Sequence, residues 1–203
     1  MPSSYKNTIK NTARRVRNMS EFKDISTQSQ KAINEEIKKA MQAVKQIPDV
    51  LGYTPTGKVR TKEKALERLF RKAGRVGMIP NIKPPKSNRT YDNTRKTKDG
   101  SEAIYKPGNL LDSIKLMKFK RSNSIFVGPK TIRQKKKTGT FGPGSRQDPY
   151  YAGFVEFGTR SQGGQGYMKK GIEKGTKPTL KIIKDGVEKM LKKWYDQRRK
   201  SNK

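Results

Sequence analysis

Three segments of this sequence carry residue types at spacings that could do chemistry. Gly52-Tyr53-Thr54-Pro55-Thr56-Gly57-Lys58 has the spacing of a phosphate-binding loop, in which glycines let backbone N–H groups wrap a phosphate while the lysine reaches its outer oxygens. Val59 follows Lys58 in place of the hydroxyl that would hold magnesium, and a helical pattern rather than a strand precedes the segment. It reads as a Gly/Pro turn. Glu36-Ile37-Lys38 has a carboxylate-x-lysine spacing that a magnesium nuclease could use. It falls in the middle of an amphipathic helical pattern, with Glu35 and Glu36 expected on the solvent side, and pairs of Glu35 with Lys38 and Lys39 would account for these charges. Tyr150, Tyr151, Phe154 and Phe157 could stack on bases, but their clustering beside Val155 favours core packing.

The types that are missing narrow the chemistry further. The chain has no cysteine and no histidine, which removes disulfides, thiolate nucleophiles, Cys-based zinc sites and the commonest general base and metal ligand. Catalysis would have to run on carboxylates, Lys, Tyr or Ser, and no enzyme or cofactor is expected. In contrast, 49 Lys and Arg stand against 17 Asp and Glu in 203 residues, a formal charge of +32. Self-repulsion of that size opposes compaction unless salt or an anionic partner relieves it. One basic, Gly-rich stretch, from Thr131 to Asp148, carries Arg133, Lys135, Lys136, Lys137 and Arg146 around Gly139, Gly142, Pro143 and Gly144. It is expected to be a mobile loop whose flexible lysines meet a polyanion or a protein partner. Base-specific readout is not supported, because no zinc finger, RNA-recognition aromatic signature or helix-turn-helix is present.

The elements that would position these residues follow from periodicity. Positions 1–20, with Lys6, Lys10, Arg14, Arg15 and Arg17, read as a basic arm. From Glu21, residues Phe22, Ile25, Ala32, Ile33, Ile37, Ala40, Met41, Val44 and Ile47 recur at helical spacing up to Pro48. An irregular insertion is expected over about 49–107, holding one short helix capped by Thr61 with Leu66, Leu69, Phe70 and Ala73 on one face. A helical turn at Gly108–Ile114 leads into a hairpin of Lys115–Arg121 and Ile125–Val127 closed by Gly128 and Pro129. A last helix is predicted from Thr176, with Pro178 in its first turn and Leu180, Ile183, Val187, Met190 (or Leu191) and Trp194 as its apolar stripe. The fold class is α+β, a small antiparallel sheet with a long N-terminal and a C-terminal helix and long basic loops, over a single domain at 21–203. Only 30% of the residues are hydrophobic, so the core should be modest. No apolar run nears the roughly 20 residues of a membrane span and no apolar signal core opens the chain, so a soluble, unexported protein is expected.

Two segments, in this order, resemble the phage family named after the gene-ten product of a lambda-like coliphage, whose members are neck or tail-completion proteins. The first is Gly108-Asn109-Leu110-Leu111-Asp112-Ser113-Ile114, followed by a strand and by Val127-Gly128-Pro129. The second is Tyr151-Ala152-Gly153-Phe154-Val155-Glu156-Phe157-Gly158-Thr159, then a Gly/Gln linker and the last helix. Where the family typically carries a Pro-Phe-Leu-Arg-Pro-Ala-like stretch, this chain has Gly166-Tyr167-Met168-Lys169-Lys170-Gly171-Ile172, with Tyr167 and Ile172 at the apolar positions. The resemblance implies a homo-oligomeric ring in the virion neck, between capsid and tail and assembled in the host cytoplasm. Portal, adaptor or other neck and tail proteins would be its partners, with non-specific contact to genomic DNA and none to membrane. The same charge would suit a ribosome-associated or nucleoid-type nucleic-acid-binding protein, and fixed stoichiometry without nucleic acid would separate the two. Glu156 is expected to be structural: a carboxylate among so many apolar residues needs a Lys, Arg or backbone N–H partner to stay charged.

Overall fold

A computed structural model describes residues 2–53, 55–85, 93–96, 102–105, 109–118, 125–129, 152–159 and 161–201. The protein is α+β: among the described residues there are two long helices and three two-stranded antiparallel hairpins. Its elements are α1 (Pro2–Ala43), β1 (Val50–Tyr53), β2 (Val59–Thr61), α2 (Lys62–Lys72), a π-helical segment (Ala73–Met78), a 3-10 turn (Ile79–Asn81), β3 (Asn93–Lys96), β4 (Glu102–Tyr105), α3 (Asn109–Ser113), β5 (Ile114–Lys118), β6 (Ile125–Pro129), α4 (Ala152–Phe157) and α5 (Tyr167–Ser201). They form two compact units, Met1–Lys23 with Ile82–Lys170 and Asp24–Asn81 with Gly171–Lys203. Both α1 and α5 contribute residues to each unit.

The second of these units holds the main apolar core. Ala40, Val44 and Ile47 at the end of α1 and just beyond it, Leu66 and Ala73 from α2 and its extension, and Ile183 and Val187 of α5 are buried together. Each fully buried Val, Leu or Ile contributes about 1.5–3 kcal/mol relative to exposure. The predicted apolar face of α2 is confirmed, with Leu69 and Phe70 half-buried against this core. Thr61 caps α2 as expected, its hydroxyl accepting from the Lys64 N–H at 3.3 Å. Glycines let the backbones of this unit approach closely: a Cβ on Gly77 would lie 2.7 Å from the Thr179 Cα and one on Gly175 would lie 2.7 Å from the Met78 sulfur. Hydroxyls complete the contact. Thr176 donates to the Ile172 carbonyl at 2.7 Å and therefore accepts from Ser29, while Thr179 donates to the Gly175 carbonyl at 2.7 Å.

The structure corrects several expectations. Helix α1 begins at Pro2, so the basic arm is helical, and Met41 leaves the apolar stripe with 55% of its surface exposed. Glu36 is half-buried rather than on the solvent side. The stretch from Ile79 to Lys106, expected to be irregular, contains the hairpin of β3 and β4, paired from Asn93↔Tyr105 to Lys96↔Glu102. Helix α5 begins at Tyr167, about two and a half turns before Thr176, and carries Pro178 in its interior. The Gly52–Lys58 segment spans the turn between β1 and β2, with Gly52 at φ 118° and Gly57 at φ 76°. The left-handed region that both occupy costs glycine least, as the turn reading requires. Among the described residues no helix is long and apolar enough to cross a membrane.

Candidate functional site

The unit built from Met1–Lys23 and Ile82–Lys170 contains both segments of the resemblance. In the first, α3 turns directly into β5, which pairs with β6 from Ile114↔Pro129 to Lys118↔Ile125, as the hairpin prediction required. Leu110, Ser113 and Ile114 face inward and Leu111 faces solvent, the split a single helical turn imposes. The Ser113 hydroxyl, only 1% exposed, donates to the Leu110 carbonyl at 2.7 Å, so a buried polar atom is satisfied locally. Gly128 is buried and Pro129 half-buried in β6. A Cβ on Gly128 would touch the Met168 and Met117 methyls at 3.8 and 3.9 Å, which places this hairpin beside the start of α5.

The second segment forms the joint between α4 and α5. A short helix leaves its last carbonyls without partners inside itself, and here the following turn supplies them. The Gly158 N–H donates to the Phe154 carbonyl at 2.9 Å, the Gln165 N–H to Val155 at 2.8 Å and the Gly166 N–H to Glu156 at 3.1 Å. Gly158 sits at φ 91°, and a Cβ there would meet the Gly164 nitrogen at 2.5 Å and the Gln162 oxygen at 2.7 Å. Only glycine meets both demands. Thr159 folds the turn tip: its N–H donates to the Gln162 carbonyl at 2.8 Å, and its hydroxyl accepts from the Ser161 and Gln162 N–H groups at 3.3 and 3.1 Å.

Glu156 ties the joint to α5. Its side chain is 3% exposed, and its two oxygens accept from the Met168 N–H at 2.7 Å and the Lys169 N–H at 3.0 Å. The Gly166 carbonyl accepts from the Lys170 N–H at 3.0 Å, which makes Gly166 the residue that opens the helix. Glycine there has no side chain to cap the free amides, and Glu156 reaches across to fill that place. A carboxylate at a helix N-terminus gains both from charge-assisted hydrogen bonds and from the helix dipole. The expected backbone N–H partner is thus found. It also explains why α5 starts where no local cap is written: the cap comes from the preceding helix, whereas Thr176 and Pro178 only imitate one.

Around this joint, Phe157 meets Phe22 edge-on with ring centroids 5.4 Å apart, and Lys169 pairs with Glu21 of α1. The Lys169 ammonium, first by its hydrogen bond and then by its charge, holds the Glu21 carboxyl below the ordinary range. Val155 and Thr159 are half-buried and Gly158 is buried. Phe154 departs from the expected core packing, with 49% of its surface exposed. Reading the sequence did not find the roles of Gly164 and Gly166. The Gly/Gln linker is legible in the sequence, but the close approach of Gly164 to the carbonyl end of α4 is not.

The remaining candidate residues lie outside the described residues. These are Gly108 and Tyr151 of the resemblance, Tyr150 of the aromatic cluster, and Arg133, Lys135, Lys136, Lys137 and Arg146 of the basic stretch. No family, curated protein or solved structure matches the chain.

Proposed function

We propose that this chain is a structural subunit of a phage neck, a head-to-tail connector or tail-completion protein. In this reading copies of it form a ring that joins the portal to the tail around the DNA passage, without turnover. The observation that carries the proposal is the α4–α5 joint. The residues of the second resemblance segment form one hydrogen-bonded corner, and the buried acid Glu156 has both oxygens bonded to backbone amides. A corner wired in this way keeps a subunit's shape under load, which suits mechanical joining. The charge of +32 suits a wall beside DNA or a contact with acidic neck proteins. Cryo-electron microscopy of the tailed particle tests the reading, with several copies expected as a ring at the portal–tail junction. A single copy away from the neck would overturn it. Nuclease-treated protein co-expressed with its portal should likewise give one fixed stoichiometry by native mass spectrometry, whereas a spread of stoichiometries that depends on nucleic acid would favour a nucleoid-type binder.

A further inference from the structure

Helix α5 has two faces with different fates. Gly175, Thr179, Ile183 and Val187 are buried on one of them, and the close contacts of Gly175 with Met78 and of Thr179 with Gly77 fix that face inward. On the opposite side, every exposed residue from Lys174 to Lys184 is lysine except Pro178: Lys174, Lys177, Lys181 and Lys184. Their spacing of three, four and three places them within an arc of about 80° on a helix of 3.6 residues per turn. Among the described residues none of the four makes an ion pair. The acids Glu173, Asp185 and Glu188 lie four residues from Lys177, Lys181 and Lys184, at the two ends of the stripe, and among the described residues none of them pairs with its lysines. Helix α1 spreads the same charge more thinly: its exposed Lys31, Lys38 and Lys39, with Lys45 just past its end, cover about 21 Å with the exposed Glu35 among them.

We infer that this stripe is a contact for the sugar-phosphate backbone of duplex DNA, made by charge alone. Four ammonium groups spread over about 15 Å of helix match the roughly four phosphates that one strand presents over the same length. Lysine offers point charges with no fork to read a base edge, and between Lys174 and Lys184 the one exposed residue other than lysine is Pro178, with no exposed aromatic or large apolar side chain to stack on a base or to centre a protein interface. Protein interfaces are depleted in lysine at their cores, and a helix lying on a membrane would need its apolar face free, whereas that of α5 is buried. The contact needs no ring, so it stands or falls separately from the neck proposal.

The test is fluorescence anisotropy of the full chain with two unrelated duplexes of about 30 bp, titrated with salt from about 50 to 300 mM. Replacing the four residues together, Lys174→Gln, Lys177→Gln, Lys181→Gln and Lys184→Gln, should flatten the slope of log K against log salt by about three and a half units and lower affinity at low salt about a hundredfold, equally on both sequences. The variant with Lys31, Lys38, Lys39 and Lys45 changed to Gln loses the same charge and should change the slope by less than about one unit. Arginine at all four α5 positions should retain binding. Should the quadruple glutamine variant lose its helical circular dichroism, Lys177→Gln with Lys181→Gln is measured instead, with about two units expected. Equal losses in the α1 and α5 variants would overturn the inference, leaving only a net-charge effect. So would an unchanged slope, or a loss confined to poly-L-glutamate or phosphatidylglycerol vesicles while DNA binding persists.

Discussion

Glu156 holds the start of α5 through both its backbone and its side chain, and its contribution can be measured. Its carbonyl holds Gly166 while its carboxylate holds Met168 and Lys169. Glu156→Gln keeps the shape but removes the charge and turns one acceptor into a donor facing an N–H. Hydrogen bonds to a charged group contribute about 1.5–3 kcal/mol, so urea unfolding should show a loss of about 2 kcal/mol at an unchanged m-value. An unaltered midpoint would mean that the carboxylate is not holding the helix. That a partner would be needed was legible from Val155-Glu156-Phe157 alone, because an acid among apolar neighbours must be neutralised or satisfied. Which partner was not legible, since the amides belong to residues twelve and thirteen positions later and only the turn through Gly158 brings them within reach.

Among the elements, α5 shows where periodicity succeeds and where it stops. Ile183 and Val187 are buried and Leu180, Met190, Leu191 and Trp194 half-buried, as the apolar spacing predicts. The helix start was misplaced because capping rules are local and this cap is not. The π-helical segment after α2 was also illegible, since its wide turn is held by packing rather than by any residue preference: Gly77 lies against Thr179, and the Asn81 side chain donates to the Gly77 carbonyl at 2.8 Å. Gly77→Ala should therefore destabilise the protein by about 2–4 kcal/mol, since the added methyl meets backbone that cannot rotate away. Thermal unfolding followed by circular dichroism checks it, and a shift within about 1 °C, far less than a loss of that size requires, would show that the two backbones can separate cheaply. The pairs expected between Glu35 and Lys38 or Lys39 are not formed among the described residues. Exposed long side chains gain too little to hold one geometry.

For the whole molecule, charge and connectivity matter most. At +32 the folded chain repels itself, and salt shortens the reach of that repulsion from about 30 Å at 0.01 M to about 8 Å at 0.15 M. The melting temperature should therefore rise by several degrees over that range, as scanning calorimetry would show, in contrast to a protein held mainly by surface ion pairs. A flat or falling profile would mean that the basic side chains are spaced widely enough to ignore one another. Connectivity has a consequence for synthesis. Each unit draws on both an early and a late part of the chain: Ala40, Val44 and Ile47 wait for Ile183 and Val187, while Phe22 waits for Phe157 and Glu21 for Lys169. Neither unit can close on the ribosome until α5 has emerged, because such distant contacts pay their loop-closure entropy before any burial rewards it. A nascent chain stalled before α5 has no finished core, so incomplete copies should be cleared by proteolysis while whole ones persist.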